Sequence, residues 1–261
     1  MAGKDLKGKR AVVTAAAGGI GESIALSLAR AGADLAICDI DLAGLDRVKD
    51  QIEAAGSRVL SAGCDVGIGL EVDGFAREVL AEFGGVDILV NNAGRSGPGD
   101  VLGTDPAEWR AVMAVNLDAA FLMARAFIPG MKARKWGRLI QIASLGGKRP
   151  FPNAVSYSTS KAAMIALTRS MALDYVEDGI TSNAVCPSWT RTDMAERFAS
   201  VLIAGQDISH SEAYERMAQM LPHKRLLEPD EVAAVVYMLA GEEAGSINGQ
   251  AISVDGGAAL S

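Results

Sequence analysis

Metal and disulfide chemistry have little to work with in this sequence, whose 261 residues include three cysteines and two histidines. Cys38, Cys64 and Cys186 are odd in number and widely spaced. Each lies in or just after an apolar run, which reads as a buried small hydrophobe rather than part of a disulfide framework. His210 and His223 sit in a polar late segment with no Cys/His cluster and no nucleophile elbow nearby. Neither a metal site nor a Ser–His–acid triad is expected. Positive charge is also scarce: 25 Lys and Arg against 32 Asp and Glu leave a net charge of −7. That balance argues against a nucleic-acid or anionic-membrane partner. No run approaches about 18 consecutive apolar residues, and the basic N-terminus has no apolar segment behind it. Neither a membrane span nor a leader is expected, and the expected location is cytoplasmic. Repeats, linkers and low-complexity tracts are missing too. What is present is a 49% hydrophobic composition, enough to fill the core of one large α/β domain covering residues 1–261.

Short apolar runs alternate with helical periodicity along the whole chain. Arg10 to Thr14, Leu35 to Cys38, Arg58 to Ala62, Val86 to Val90, Leu139 to Ala143, Ile180 to Cys186 and Ala251 to Val254 read as seven strands. Between them, apolar residues at helical spacing mark helices, including Leu42–Leu45–Val48–Ile52, Val72–Phe75–Val79–Phe83, most of 106–129, and 155–178. This alternation predicts a doubly wound, parallel seven-stranded sheet covered by helices on both faces, a Rossmann fold. The stretch 192–221 is helical in pattern but interrupted and methionine-rich. It is expected to belong to a substrate lid over about 188–222.

Two stretches carry chemistry. A glycine loop, T-A-A-A-G-G-I-G (14–21), joins the first strand to the first helix, where backbone N–H groups and the helix dipole can hold a pyrophosphate. Gly18, Gly19, Ile20 and Gly21 form the contacting part, while Ala15 stands where the dinucleotide fingerprint has its first glycine. Asp39 follows the second strand, about 20 residues on, placed to accept from ribose hydroxyls and to repel a 2′-phosphate, which favours NAD over NADP. An ordinary N-cap of the next helix is the competing reading for Asp39, a role Asp41 could also fill. The second stretch ends a strand at Ser144 and opens a helix bearing Tyr157 and Lys161. Their four-residue spacing puts phenol and ammonium on one helix face, one turn apart. A cation beside a phenol favours phenolate, so the tyrosine is expected to titrate below its usual value of about 10. This is equipment for moving a proton on and off an alcohol or carbonyl oxygen. Taken alone, such a pair more often means one buried and one solvated side chain.

These motifs occur in a characteristic order, with Asp65-Val66, N-N-A-G (91–94), Asn116 in V-N-L, Ser144 thirteen residues before Tyr157, N-A-V-C-P-S-W-T-R-T (183–192) and D-G-G (255–257). Through them the chain resembles the short-chain dehydrogenase/reductase family over essentially its whole length. The resemblance implies that Tyr157 is the general acid/base. It also implies that Lys161 lowers the tyrosine pKa and holds the nicotinamide ribose, that Ser144 positions the substrate oxygen, and that Asn116 stabilises a water in a proton relay. Asp65 and Val66 would flank the adenine. Asn92, Ala93 and Gly94 would line the cofactor, and Pro187, Thr190 and Thr192 would hold the nicotinamide end. A homotetramer, or a homodimer, is implied as well. Ser188 departs from the family pattern at the glycine that usually follows the proline.

The substrate wall is expected from Arg95 to Leu102, Leu145 to Asn153 and Trp189 to Leu221, with Met194, Phe198, Met217 and Met220 as an apolar lid or as plain core. Arg95, Lys148, Arg149 and Arg191 could attract a carboxylate or a phosphate-bearing carrier, or remain solvated surface charges. Segments similar to 3-oxoacyl-thioester reductases and polyketide ketoreductases lead to an expected NAD(H)-linked interconversion of a secondary alcohol and a ketone, on a 3-hydroxyacyl or cyclic compound. A sugar, polyol or cyclic-diol dehydrogenase is the alternative. A dinucleotide-binding regulator without turnover, motivated by Ala15 and Ser188, is the reading from another class.

Overall fold

The computed structural model describes residues 6–204 and 208–259. The stretch read for a leader begins within residues 1–5, and the expected lid crosses 205–207. Both segments, with 260–261 and the side chains of Val201 and Leu202, lie outside the described residues.

Seven strands form one sheet in the order β3-β2-β1-β4-β5-β6-β7, every neighbouring pair parallel. They are β1 (Arg10–Thr14), β2 (Asp34–Asp39), β3 (Val59–Gly63), β4 (Ile88–Asn91), β5 (Gly137–Ile142), β6 (Ile180–Pro187) and β7 (Ala251–Val254). The expected strands are all present, with ends shifted by one or two residues. Successive side chains leave opposite faces of a strand. Thus Val13 packs with α1 (Gly19–Arg30), α2 (Leu42–Ala54) and α10 (Pro229–Ala240), while Val12 packs with α3 (Gly69–Phe83) and α5 (Ala119–Arg134). The strand order reverses between β1 and β4, the place where ligands bind in open α/β sheets.

The helix expected over 106–129 is longer and less regular than its periodicity suggests. α4 (Pro106–Met113) runs into a π-helical turn at Ala114–Asp118 and then into α5, with Pro129 inside. By length and by a mean hydropathy of 1.6, the stretch Pro106–Arg134 could cross a membrane. It packs instead as a core helix, burying Met123, Phe127 and Met131 beside Phe75 and Leu139. Ser144 caps a four-residue turn, α6 (Leu145–Lys148), where a loop is expected from the glycines and prolines. The helix read over 155–178 stops sooner: α7 is Val155–Asp174, followed by a 3₁₀ turn at Val176–Asp178 and left-handed Gly179. α8 (Asp193–Ile203) and α9 (His210–Gln219) supply the interrupted lid segment.

At the opposite edge of the sheet, Asp87 is buried and accepts from Arg10 N, Nε and Nη2 and from Arg134 Nε at 2.8–3.1 Å. Burial pushes its carboxyl up, but the two guanidinium groups outweigh it and hold the carboxyl below its ordinary value. That stabilisation is present above the ordinary carboxylate range and disappears as pH falls through the lowered value. Asp87→Ala, which leaves two part-buried guanidinium groups unpaired, should cost about 3 kcal/mol in urea unfolding at pH 7. The difference from wild type should shrink at acid pH.

Candidate active site

Polar groups join the carboxyl ends of β1 and β4. Thr14 Oγ1 accepts from both Asn92 N and Ala93 N at 3.0 Å, and Asn92 Nδ2 donates to the carbonyls of Thr14 and Ala15, each at 3.0 Å. Asn92 therefore clamps the glycine loop rather than presenting a free amide. Ala15 sits at φ +52°, the left-handed region that glycine occupies without strain. The glycine missing from the fingerprint is thus missing at the position whose backbone asks for one. Gly21 cannot be replaced so easily. A Cβ there would overlap the Ala15 carbonyl oxygen and lie 2.6 Å from Asn92 Nδ2.

The far side of the loop is tied to β2. Asp39 Oδ2 accepts from Ala17 N at 3.0 Å, and Oδ1 accepts from Ile40 N and Asp41 N at 2.7 and 3.1 Å. The N-cap of α2 is Asp41, which accepts from Gly44 N. Asp39 is therefore not that cap, and its half-buried carboxylate remains beside the loop. Arg47, too distant in sequence to attract notice, returns to the same place. It donates to the Ala17 carbonyl at 2.9 Å and pairs with Glu22 through Nη1 and Nη2. Asp65, half-buried, accepts from Gly67 N at 2.9 Å, and Val66 is buried beside it. Thr192, from the end of the β6 loop, closes over the helix start: a Cβ on Gly19 would lie 3.1 Å from Thr192 Cγ2. Thr192 Oγ1 donates to the Thr190 carbonyl, Thr190 Oγ1 donates to the Ser188 carbonyl, and buried Ser188 Oγ has no hydrogen-bond partner among the described residues. Gly19 and the segment after β6 thus lie side by side. Gly18 caps α1 with no side-chain hydrogen bond, so no side chain of the cap residue engages the first-turn N–H groups.

Ser144 and Tyr157 are hydrogen-bonded, and Lys161 lies one helical turn beyond Tyr157 in α7. Ser144 and Lys161 are buried, whereas Tyr157 keeps part of its surface open. The expectation of an acidified phenol is not met. Burial pushes Tyr157 above its usual value, and the Ser144 hydrogen bond offsets this only in part. The Lys161 ammonium donates to the Ile142 carbonyl at 2.8 Å. The same burial brings the Lys161 ammonium down to about 8. Asn116 is fully buried in the π-helical turn. Its Oδ1 accepts from Arg95 N at 2.8 Å, and its Nδ2 donates to the Arg95 carbonyl at 3.1 Å and to Ser160 Oγ at 2.9 Å. Gly94 draws these groups together, since a Cβ there would lie 3.3 Å from Lys161 Nζ and 3.6 Å from Asn116 Oδ1.

The expected substrate wall separates into parts. Val101 and Leu102 face solvent, at 77% and 96% exposure, so the end of the Arg95–Leu102 segment leaves the cleft. Met217 lies in a small core of α8 and α9 with Ala199, Ala213 and Leu226, while Met220 is exposed. Met194 and Phe198 are half-buried. Arg95 pairs with Glu108 at 2.8 Å and Arg191 with Glu228 at 3.1 Å; Lys148 turns inward to Ser253 Oγ at 2.9 Å. Arg149 stays exposed. Cys38, Cys64 and Cys186 are free and buried, and burial raises the Cys186 thiol to about 11.

A family model described as enoyl-(acyl carrier protein) reductase matches residues 14–259. The chain is 38% identical over 249 residues to ketoacyl reductase 1 of the granaticin polyketide synthase of Streptomyces violaceoruber, covering 95% of this chain and 92% of that protein. Among solved structures, an actinorhodin polyketide ketoreductase variant with NADPH superposes with a TM-score of 0.93 at 34% identity, covering 97% of this chain and 98% of that one. An NAD+-bound xylitol dehydrogenase gives 0.90 at 30% identity, covering 97% and 100%.

Folding lowers Lys161 from 10.5 to about 8, so the unfolded chain holds its proton longer. Stability should then rise with pH between those two values, by an amount on the order of 3 kcal/mol. Lys161→Met should remove the rise. Urea unfolding of both proteins from pH 7 to 10.5 measures it, and a wild-type-minus-variant difference that ignores pH would contradict it.

Proposed function

Since the chain belongs to the short-chain dehydrogenase/reductase family, we propose that it is an NAD(H)-dependent oxidoreductase interconverting a secondary alcohol and a ketone. The observation that supports this reading is the hydrogen bond between Ser144 and Tyr157, with Lys161 one helical turn on. A nicotinamide dinucleotide bound there would supply or accept the hydride. The protein's own task is the proton. Tyr157, neutral at rest, donates to a ketone oxygen or, as phenolate, accepts from an alcohol, while the Ser144 hydroxyl holds that oxygen. For Tyr157 to serve as base, its phenolate needs a cation, and Lys161 on the same helix face remains mostly protonated at neutral pH. Asn116 acts as a positioning residue on the proton route to Lys161, tying Arg95 to α7 through Ser160.

Gly18, Gly19, Ile20 and Gly21 are assigned to the pyrophosphate, Asp39 to the ribose hydroxyls, and Asp65 and Val66 to the adenine. Asn92, Ala93 and Gly94 are assigned to the middle of the cofactor, with Tyr157 and Lys161 at the nicotinamide ribose. Pro187, Thr190 and Thr192 hold the carboxamide end, beneath a lid of about 188–222. NAD is favoured because Asp39 is a carboxylate at the ribose position and the nearby Arg47 is neutralised by Glu22. On substrate, the reading covers a 3-hydroxyacyl or cyclic compound. The likeness to a xylitol dehydrogenase keeps a polyol as the second reading. A homotetramer is proposed on the family resemblance.

Tyr157→Phe should abolish NADH formation from NAD+ and a panel of secondary alcohols, while NADH binding by fluorescence changes less than about threefold. Substantial residual turnover would take Tyr157 out of its role. Asp39→Ala should raise the NADP/NAD ratio of kcat/KM by roughly tenfold, about 1.4 kcal/mol. Because the ratio cancels any general loosening of the loop, an unchanged value would count against the ribose assignment.

A further inference from the structure

We infer that Glu22 is a specificity-determining residue that acts through Arg47: it occupies a guanidinium placed to meet a 2′-phosphate and so turns NADP(H) away. The inference rests on the proposed cofactor assignment, in which Asp39 serves the ribose hydroxyls. Residues 31–46 contain no Lys or Arg, so Arg47 is the first cation to follow β2.

Local structure brings Arg47 back to the glycine loop. A Cβ on Gly44 would lie 2.8 Å from both Ala17 Cβ and the Ala17 carbonyl oxygen, so the bare glycine lets the first turn of α2 press against the loop. Arg47 follows three residues later on the same helix face. Its Nη2 donates to the Ala17 carbonyl at 2.9 Å, while Asp39 Oδ2 accepts from the N–H of the same residue at 3.0 Å. Carboxylate and guanidinium thus bracket Ala17. Glu22, in the first turn of α1, takes up the guanidinium through both carboxylate oxygens, with Nη2 to Oε2 at 2.8 Å.

An acid in the first turn of a helix has an ordinary use, since it complements the helix dipole. Two features of Glu22 go beyond that use. Its contact with Arg47 is bidentate, which takes up the fork that a guanidinium otherwise offers to a phosphate. The Arg47 side chain also stays 50% exposed, so an anion arriving from solvent has access to it. Such an anion meets Asp39 and Asp41 beside Ala17 and Glu22 on the guanidinium, three carboxylates against one cation. Their summed repulsion disfavours a 2′-phosphate and leaves a ribose hydroxyl untouched. A partly solvated ion pair contributes little to stability, which separates its effect on cofactor choice from any effect on folding.

The test measures NADH and NADPH affinities of the full chain by calorimetry, without any alcohol or ketone. Wild type should bind NADH more tightly than NADPH. Glu22→Gln, which keeps the side chain's size and removes its charge, should raise the NADPH/NADH affinity ratio by roughly fivefold. In an Asp39→Ala background the same change should raise it by at least about tenfold, because the second repulsion is gone. Adding Arg47→Gln to Glu22→Gln should return the ratio to the wild-type value or below, which loss of a carboxylate alone would not do. Thermal melts check folding, and Glu22→Ala, with the same expected direction, replaces Glu22→Gln if that variant does not fold. An unchanged ratio on removing the Glu22 charge, or a gain that survives Arg47→Gln, overturns the inference. So does a wild type that binds NADPH as tightly as NADH, or that binds neither. If the ratios move as stated but no secondary alcohol is oxidised with either cofactor, the oxidoreductase reading fails and the role of Glu22 stands.

Discussion

Thr14 Oγ1, accepting two backbone N–H groups from Asn92 and Ala93, fixes the sheet where its strand order reverses. Everything assigned to the cofactor hangs from this junction. Asn92 returns its amide to the Thr14 and Ala15 carbonyls, which holds the glycine loop in a turn that carries Ala15 at positive φ. A strained backbone conformation persists when its surroundings over-determine it. Here the surroundings are two side-chain hydrogen bonds and a bare Gly21 packed beneath them. Asp39 secures the other flank through Ala17 N. The loop is therefore held from β4 and β2 at once.

The proton chemistry depends on a conflict between burial and charge. Removing Tyr157 and Lys161 from water disfavours phenolate and ammonium alike, and the two groups shift in opposite directions for the same reason. Lys161 is not left without a partner, because the Ile142 carbonyl at the end of β5 accepts from it. That contact keeps the cation at the strand end. The π-helical turn around Asn116 serves the same end of the sheet: it aims one buried amide at both Arg95 and Ser160, bonding the β4 loop to α7. π-turns inside helices often mark functional positions for such reasons.

Periodicity reveals the seven strands because each central strand is buried on both faces and so reads as an apolar run, as with Val12–Val13 and Leu89–Val90. It reveals Tyr157 and Lys161 because helical spacing alone puts them on one face. Short-range patterns could not show the turn at Leu145–Lys148, where one serine cap outweighs a glycine- and proline-rich composition. The π-turn is also invisible to a 3.6-residue period. The partners of Arg95, Arg191 and Lys148, namely Glu108, Glu228 and Ser253, are not visible in local patterns because they lie 13 to 105 residues away. Arg47 was passed over for a similar reason, being 30 residues from the carbonyl it meets.

The sequence by itself determined the sheet, the order of its strands and helices, and the residue types at the carboxyl edge. Those follow from local burial patterns and from motifs whose chemistry lies within a few residues. Only the tertiary structure decided which groups are free to act. It turned Asn92 into a clamp, paired Arg95 with Glu108 and Arg191 with Glu228, raised rather than lowered the Tyr157 phenol, and brought Phe151, Trp189 and Phe198 into one stack. Each of these outcomes is set by desolvation or by contacts between distant segments, which no local spacing encodes.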